Sequence, residues 1–206
     1  MDKAGLRCVS THHPLKQLTT ELDRWIDYAH TLGLEYMICS SSIGLRGNSG
    51  ANGAPTLADW HRVAEDFNRL GEKVKAAGMT FGVHNHTPEF AVIEGTLVYD
   101  ELLRLTDPQY VVFEMDAGWV SASGHDPVAY LRRAPQRFPL MHVKDMIKGP
   151  NGEMHATEMG RGDVHYARIL RAATGLKYYF IEQEEFDIDP MQALRIDAEY
   201  MRRLNV

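Results

Sequence analysis

The chain has 206 residues, 44% hydrophobic and 24% charged, with a formal net charge of −6 at pH 7. That length supports one sizeable core and is short for two, so a single domain over 1–206 is expected. No apolar run approaches the ~20 residues a membrane helix needs, and the negative charge disfavours nucleic acid as a partner and favours a small, weakly charged one.

Leu6 to His12 reads as a strand, followed by Leu18, Leu22, Trp25, Ile26, Ala29 and Leu32 at helical spacing until Gly33 stops the run. Tyr36 to Ser40 is the next strand. The Gly/Asn-rich stretch Gly44 to Pro55 then forms a loop, either a lid or a connection without function. A long amphipathic helix runs through Trp60, Val63, Ala64, Phe67, Leu70 and Val74 and ends near Gly78. The pattern repeats with strand Thr80–His86 and a helix around Tyr99–Leu105. Strand Tyr110–Asp116 leads to a helix at Pro127–Ala134 that proline is suited to begin. Strand Leu140–Lys144 precedes a polar loop and a helix at Val164–Ala173, and strand Lys177–Gln183 precedes a last helix from Pro190 to Leu204. Cys8 and Cys39 lie in apolar strand-like runs, which predicts buried thiols in a reducing, cytoplasmic compartment; no signal peptide is visible.

Strict strand-helix alternation implies a parallel sheet with helices outside it. A doubly wound open sheet wants central strands apolar on both faces and often a Gly-rich phosphate turn, and no G-x-G-x-x-G follows any strand here. A barrel instead draws its site from the C-terminal ends of several strands. Four segments fit that pattern: Gly82, His84 and His86 oppose Phe81 and Val83; Glu114 and Asp116 oppose Phe113 and Met115; His142 pairs with Lys144, and Glu182 with Glu184. The fold expected is α/β, a (β/α)₈ barrel type with about six strand-helix units in this chain.

Six motifs occur in order: H-N-H-x-x-E-F (84–90), F-E-M-D-A-G-W-V (113–120), D-P-V-A-Y-L-R-R (126–133), H-V-K-D (142–145), G-R-G-D-V (160–164) and I-E-Q-E (181–184). Together they resemble the sugar phosphate isomerase/epimerase family, xylose isomerase-like TIM barrels of the AP endonuclease family 2 superfamily, which includes endonuclease IV. The resemblance implies one divalent metal held by a residue from each of four successive strands, here His84, Asp116, His142 and Glu182. It also implies that the chain lacks the family's first two strand-helix units, leaving the first and last strands as edges open to a homodimer partner. At His84 many family members carry glutamate.

Two imidazoles and two carboxylates suit Mn²⁺, Zn²⁺, Co²⁺ or Fe²⁺, with Mg²⁺ also considered, better than calcium, and four ligands leave positions open for substrate oxygens. The expected reaction is isomerisation or epimerisation of a sugar through an enediolate. Glu182 is the proton-transferring carboxylate, Lys144 the electrophilic helper, and His86 either a ligand in place of His84 or a substrate contact. With an imidazole at position 84, Glu182 stands alone as carboxylate base, which predicts one-base chemistry. His12 is expected to line the mouth, Trp119 to wall a sugar face and Arg161 to bind a phosphate or carboxylate, while His13 reads as a loop residue and Glu114 as part of a buried ion pair. Each histidine taken singly reads better as a satisfied core imidazole; together at matching strand ends the set favours a metal site. The alternatives are a lyase or dehydratase acting on a keto-sugar or 3-keto-glycoside, an endonuclease IV-like repair enzyme, and an inactive remnant.

Overall fold

The computed structural model describes residues 2–42 and 49–205, so positions 44–48 of the candidate lid lie outside the described residues. The chain divides into two compact units, Met1–Phe113 and Glu114–Val206.

The first unit contains β1 (Ser10–Pro14), α1 (Leu15–Leu32), β2 (Tyr36–Ser41), α2 (Leu57–Ala76), β3 (Thr80–His84), a small hairpin of β4 (Val92–Ile93) and β5 (Thr96–Leu97), α3 (Val98–Leu105), and the start of β6 (Val111–Asp116). Its main sheet has the order β1-β2-β3-β6, with β1–β2 and β2–β3 parallel. Local chemistry sets the helix ends. Gly33 closes α1 at φ 68°, a left-handed conformation that glycine adopts without Cβ strain. Thr56 and Asp59 form a capping box at the start of α2, each side chain accepting the other's backbone N–H. The alternation in β3 then sorts side chains. Phe81 packs on Phe67 of α2, with ring centroids 5.9 Å apart, while Gly82 lies on the other face, where a Cβ would come within 2.6 Å of Ile38 Cδ1. Glycine at 82 therefore lets the β2 side chain fill the space beside β3.

The second unit holds the end of β6, α4 (Ala117–Ala122), α5 (Pro127–Arg133), β7 (Leu140–Val143), a hairpin of β8 (Asp145–Lys148) and β9 (Met154–Thr157), α6 (Tyr166–Ala172), β10 (Tyr178–Ile181) and α7 (Pro190–Arg203). Its main sheet runs β6-β7-β10, with both pairings parallel. Asp126 caps α5 by accepting from Val128 N–H, and Pro127 follows it at the first helical position. Among the described residues β1 and β10 each have one strand partner in these sheets.

The strands of the main sheets alternate with helices as expected, interrupted by the β4–β5 and β8–β9 hairpins and by the consecutive helices α4 and α5. Several local expectations change. β1 begins at Ser10 rather than Leu6, because its partner β2 begins at Tyr36, in register with Ser10, and Leu6 is exposed. His13 is not a loop residue. It lies in β1, buried against Trp25 of α1 at 4.4 Å, and burial lowers its pKa. Within the expected polar loop after β7, residues 145–157 contain the β8–β9 hairpin. Both cysteines are free; Cys39 is buried, its thiol pKa pushed far up by burial, whereas Cys8, expected to be buried, is only half-buried because β1 begins after it. No helix among the described residues is long and apolar enough to cross a membrane.

Candidate functional site

In the first unit the C-terminal end of β3 gathers imidazoles. The His84 ring lies 5.0 Å from that of His12 on β1 and 4.7 Å from that of His86. His84 is buried, His86 half-buried and His12 exposed. Asn85 takes the opposite direction, as strand alternation requires, and accepts a hydrogen bond from Tyr99 Oη at 3.4 Å. The turn after His86 is held by Glu89, a buried carboxylate that accepts from His86 N–H at 2.9 Å and from Ser42 Oγ at 2.6 Å. Burial raises the Glu89 pKa against those two bonds.

The second unit concentrates charge. Glu114 and Asp116 on β6 are wholly buried, and β7 brings His142 and Lys144 beside them. The His142 ring is bracketed by carboxylates, with Nε2 3.1 Å from Glu114 and Nδ1 2.8 Å from Glu182. Burial works against its charge, yet these two bonds raise its pKa to about 10, so both ring nitrogens carry protons. Lys144 Nζ reaches Asp116 at 3.2 Å, Glu182 at 2.9 Å and Glu184 at 2.8 Å, and lies 4.9 Å from the centre of the Trp119 ring. Burial pushes Asp116 up to about 6 even with the ammonium beside it. Glu182, half-buried and touching both cations, is held well below the usual carboxylate range although burial opposes this.

Backbone contacts hold this cluster in place. Asp116 caps α4 by accepting from Trp119 N–H at 2.9 Å. A Cβ on Gly118 would sit 2.5 Å from Lys144 O, so the D-A-G-W turn needs glycine for β7 to approach. Buried Tyr166 clamps the Lys144 backbone, its Oη accepting from Lys144 N–H at 2.7 Å and donating to Lys144 O at 2.9 Å. Asp145 accepts from the N–H groups of Met146, Gly160, Gly162 and Val164, which makes G-R-G-D-V a loop wrapped around a buried carboxylate. Arg161 in that loop pairs with Glu158 at 2.9 Å. Tyr166, Gly118 and Asp145 escape sequence reasoning because each acts on a backbone group distant in the chain. Only the unusual density of glycine in G-R-G-D-V hints at such a contact.

Asp116, His142 and Glu182 each offer a ligand atom within 4.8 Å of the others. Four carboxylates (Glu114, Asp116, Glu182, Glu184) meet His142 and Lys144 in this cluster. Imidazole nitrogen and carboxylate oxygen donors gathered at one point fit a divalent metal.

Residues 3–204 match the family described as the xylose isomerase-like TIM barrel. An inosose dehydratase of Lacticaseibacillus casei is 27% identical over 151 residues, covering 70% of this chain and 50% of the relative. The chain thus spans about half the length of the curated relatives it matches. A crystal structure of a sugar phosphate isomerase/epimerase from Parabacteroides distasonis superposes with a TM-score of 0.78 at 27% identity, covering 98% of this chain and 72% of that one. A xylose isomerase-like TIM barrel protein from Mycobacterium smegmatis, in complex with magnesium, shares the fold at a TM-score of 0.69 and 16% identity, covering 98% of this chain and 73% of that one.

Proposed function

Because the chain belongs to the xylose isomerase-like TIM barrel family, we propose that it is a divalent-metal-dependent sugar isomerase or epimerase that removes a proton beside a carbonyl group. The observation that carries this reading is the convergence of buried His142, buried Asp116 and half-buried Glu182, each offering a ligand atom within 4.8 Å of the others. The proposed ligands are these three and His84, and the ion is one of Mn²⁺, Zn²⁺, Co²⁺, Fe²⁺ or Mg²⁺. When bound, such an ion supplies Lewis acidity to a carbonyl and its neighbouring hydroxyl.

The remaining chemistry belongs to the side chains. Glu182 receives the proton, and Lys144 donates a hydrogen bond to the oxygen on which charge develops. His142 must lose one ring proton to become a ligand. His86 is the second candidate for proton transfer. Trp119 and His12 are proposed to contact substrate, and Arg161 to do so if it leaves Glu158. The whole of 1–206 is taken to act as one domain, and the edges of β1 and β10 as open to homodimer formation, which light scattering over a concentration series would measure.

A dehydratase acting on a keto-sugar, with the same proton removal followed by loss of a β-hydroxyl, is supported equally well by the inosose dehydratase relatives. The test combines metal analysis with turnover. After reconstitution the parent should bind one ion per chain, and Asp116→Ala and His142→Ala should not. A panel of keto-sugars, inososes and 3-keto-glycosides assayed with Mn²⁺ then separates isomerised from dehydrated products. Unchanged metal binding in both variants would overturn the ligand assignment.

A further inference from the structure

The ladder of β7 stops one residue short of Lys144. Its last partners are Asp116 opposite His142 and Ile181 opposite Val143, and Lys144 falls between β7 and β8, in no strand. The residue is nevertheless wholly buried, so its backbone N–H and C=O need partners that no neighbouring strand supplies. One phenol provides both, since Tyr166 Oη accepts from Lys144 N–H at 2.7 Å and donates to Lys144 O at 2.9 Å. Tyr166 is itself wholly buried at the first residue of α6. Burial raises its pKa well above the ordinary value, so the proton that the second bond needs stays in place.

Tyr166 is in turn held by the residue that follows Lys144. The Asp145 carboxylate accepts from the N–H groups of Gly160, Gly162 and Val164, and Asp163 N–H donates to Met146 O at 2.8 Å, which fixes the turn leading into α6. The stretch 144–166 is thus fastened at both ends, with the β8–β9 hairpin between them. The Lys144 side chain starts from this fastening. Its Nζ meets Asp116 at 3.2 Å, Glu182 at 2.9 Å and Glu184 at 2.8 Å, so the direction of the backbone decides whether one ammonium reaches all three carboxylates.

We propose that Tyr166 is a positioning residue for Lys144: by bonding both peptide groups it fixes where the ammonium stands among the carboxylates. Phenylalanine would fill the same space and leave a buried N–H and C=O unpaired. The consequence for the reaction rests on the reading of Lys144 as the group that meets developing charge, where a misplacement of ~1 Å can cost on the order of 10²-fold in rate.

The experiment follows the Lys144 ammonium by ¹⁵N-correlated NMR of the full chain in EDTA at pH 7. A buried ammonium held by three carboxylates exchanges hydrogen slowly enough to be seen, whereas exposed lysines do not, and its absence from Lys144→Arg assigns the signal. In Tyr166→Phe the signal should shift and exchange about tenfold faster or more. Asp126→Ala, which removes the α5 cap in the same unit without touching Lys144, should leave it unchanged. A folded Tyr166→Phe with the parental shift and exchange rate, or an equal change in Asp126→Ala, overturns the proposal. Rapid exchange of the Lys144 backbone amide in the parent also overturns it, and that measurement needs no variant to fold. A Lys144→Met chain that turned over a keto-sugar at the parental rate would overturn only the reading of the reaction centre, because the ammonium signal does not depend on turnover.

Discussion

Replacing Lys144 by methionine removes the cation around which the second unit's carboxylates are arranged while keeping most of the side-chain volume. The ammonium is wholly buried and lies within 3.2 Å of Asp116, 2.9 Å of Glu182 and 2.8 Å of Glu184. Breaking a buried pair by removing one partner costs about 3–5 kcal/mol, because the remaining charge has neither partner nor water. Asp116 bears most of that cost, reduced by the Trp119 N–H bond it keeps, since the side chains of Glu182 and Glu184 are 31% and 46% exposed and solvent screens them. Methionine also recovers apolar contact, so the expected loss is about 2–4 kcal/mol at pH 7 without metal. The pH dependence has a definite sign. Burial raises Asp116 to about 6 in the folded parent, above its ordinary value near 4, so between these values the folded state binds more protons than the unfolded one and this group favours folding as pH falls. Without the ammonium its pKa rises further, and by pH 5 the carboxyl is neutral. The Lys144→Met penalty should therefore shrink by about 1 kcal/mol or more between pH 7 and pH 5. Urea unfolding of parent and variant in EDTA at both pH values is the assay. A penalty under about 0.5 kcal/mol at pH 7, the range of an ordinary surface substitution, or a larger penalty at pH 5, would refute the reasoning.

Metal binding should release about one proton from His142, whose pKa of about 10 keeps both nitrogens protonated at neutral pH, so affinity should rise up to about tenfold per pH unit between pH 7 and 9. Calorimetric titration in buffers of different ionisation enthalpy measures this, and a pH-independent affinity would exclude His142 as a ligand. Glu182→Gln should retain the fold and lose about 10²–10⁴-fold in the rate of deuterium wash-in at the carbon beside the carbonyl, read by mass spectrometry on an accepted keto-sugar. If the metal-loaded variant exchanges at the parental rate, the base is His86 or Lys144. Gly118→Ala places a Cβ 2.5 Å from Lys144 O and should cost about 1–3 kcal/mol by forcing α4 away from β7; a thermal midpoint equal to the parent's would show that the turn can relax without loss.

Period-two alternation in four short segments was enough to assign which side chains share a face. It put His84 with His86, Glu114 with Asp116, His142 with Lys144 and Glu182 with Glu184, because a strand leaves no other choice once its apolar face is covered. Gly33 and Pro127 likewise marked helix boundaries through backbone limits that act within one residue. Partners across strands were a different matter. That Lys144 would collect three carboxylates depends on the register of β7 against β6 and β10, which no local pattern encodes. The six-residue α4 is too short to display helical periodicity, and the β8–β9 hairpin carries too few apolar residues to stand out from a loop. His13 became a core residue because α1 folds back to lay Trp25 on it, and Asp145 organised G-R-G-D-V because four backbone N–H groups converge on one buried carboxylate. Conformational limits of single residues and the faces of single strands are local and therefore legible in sequence. Desolvation and pairing of charge depend on what lies opposite, and only the tertiary structure decides that.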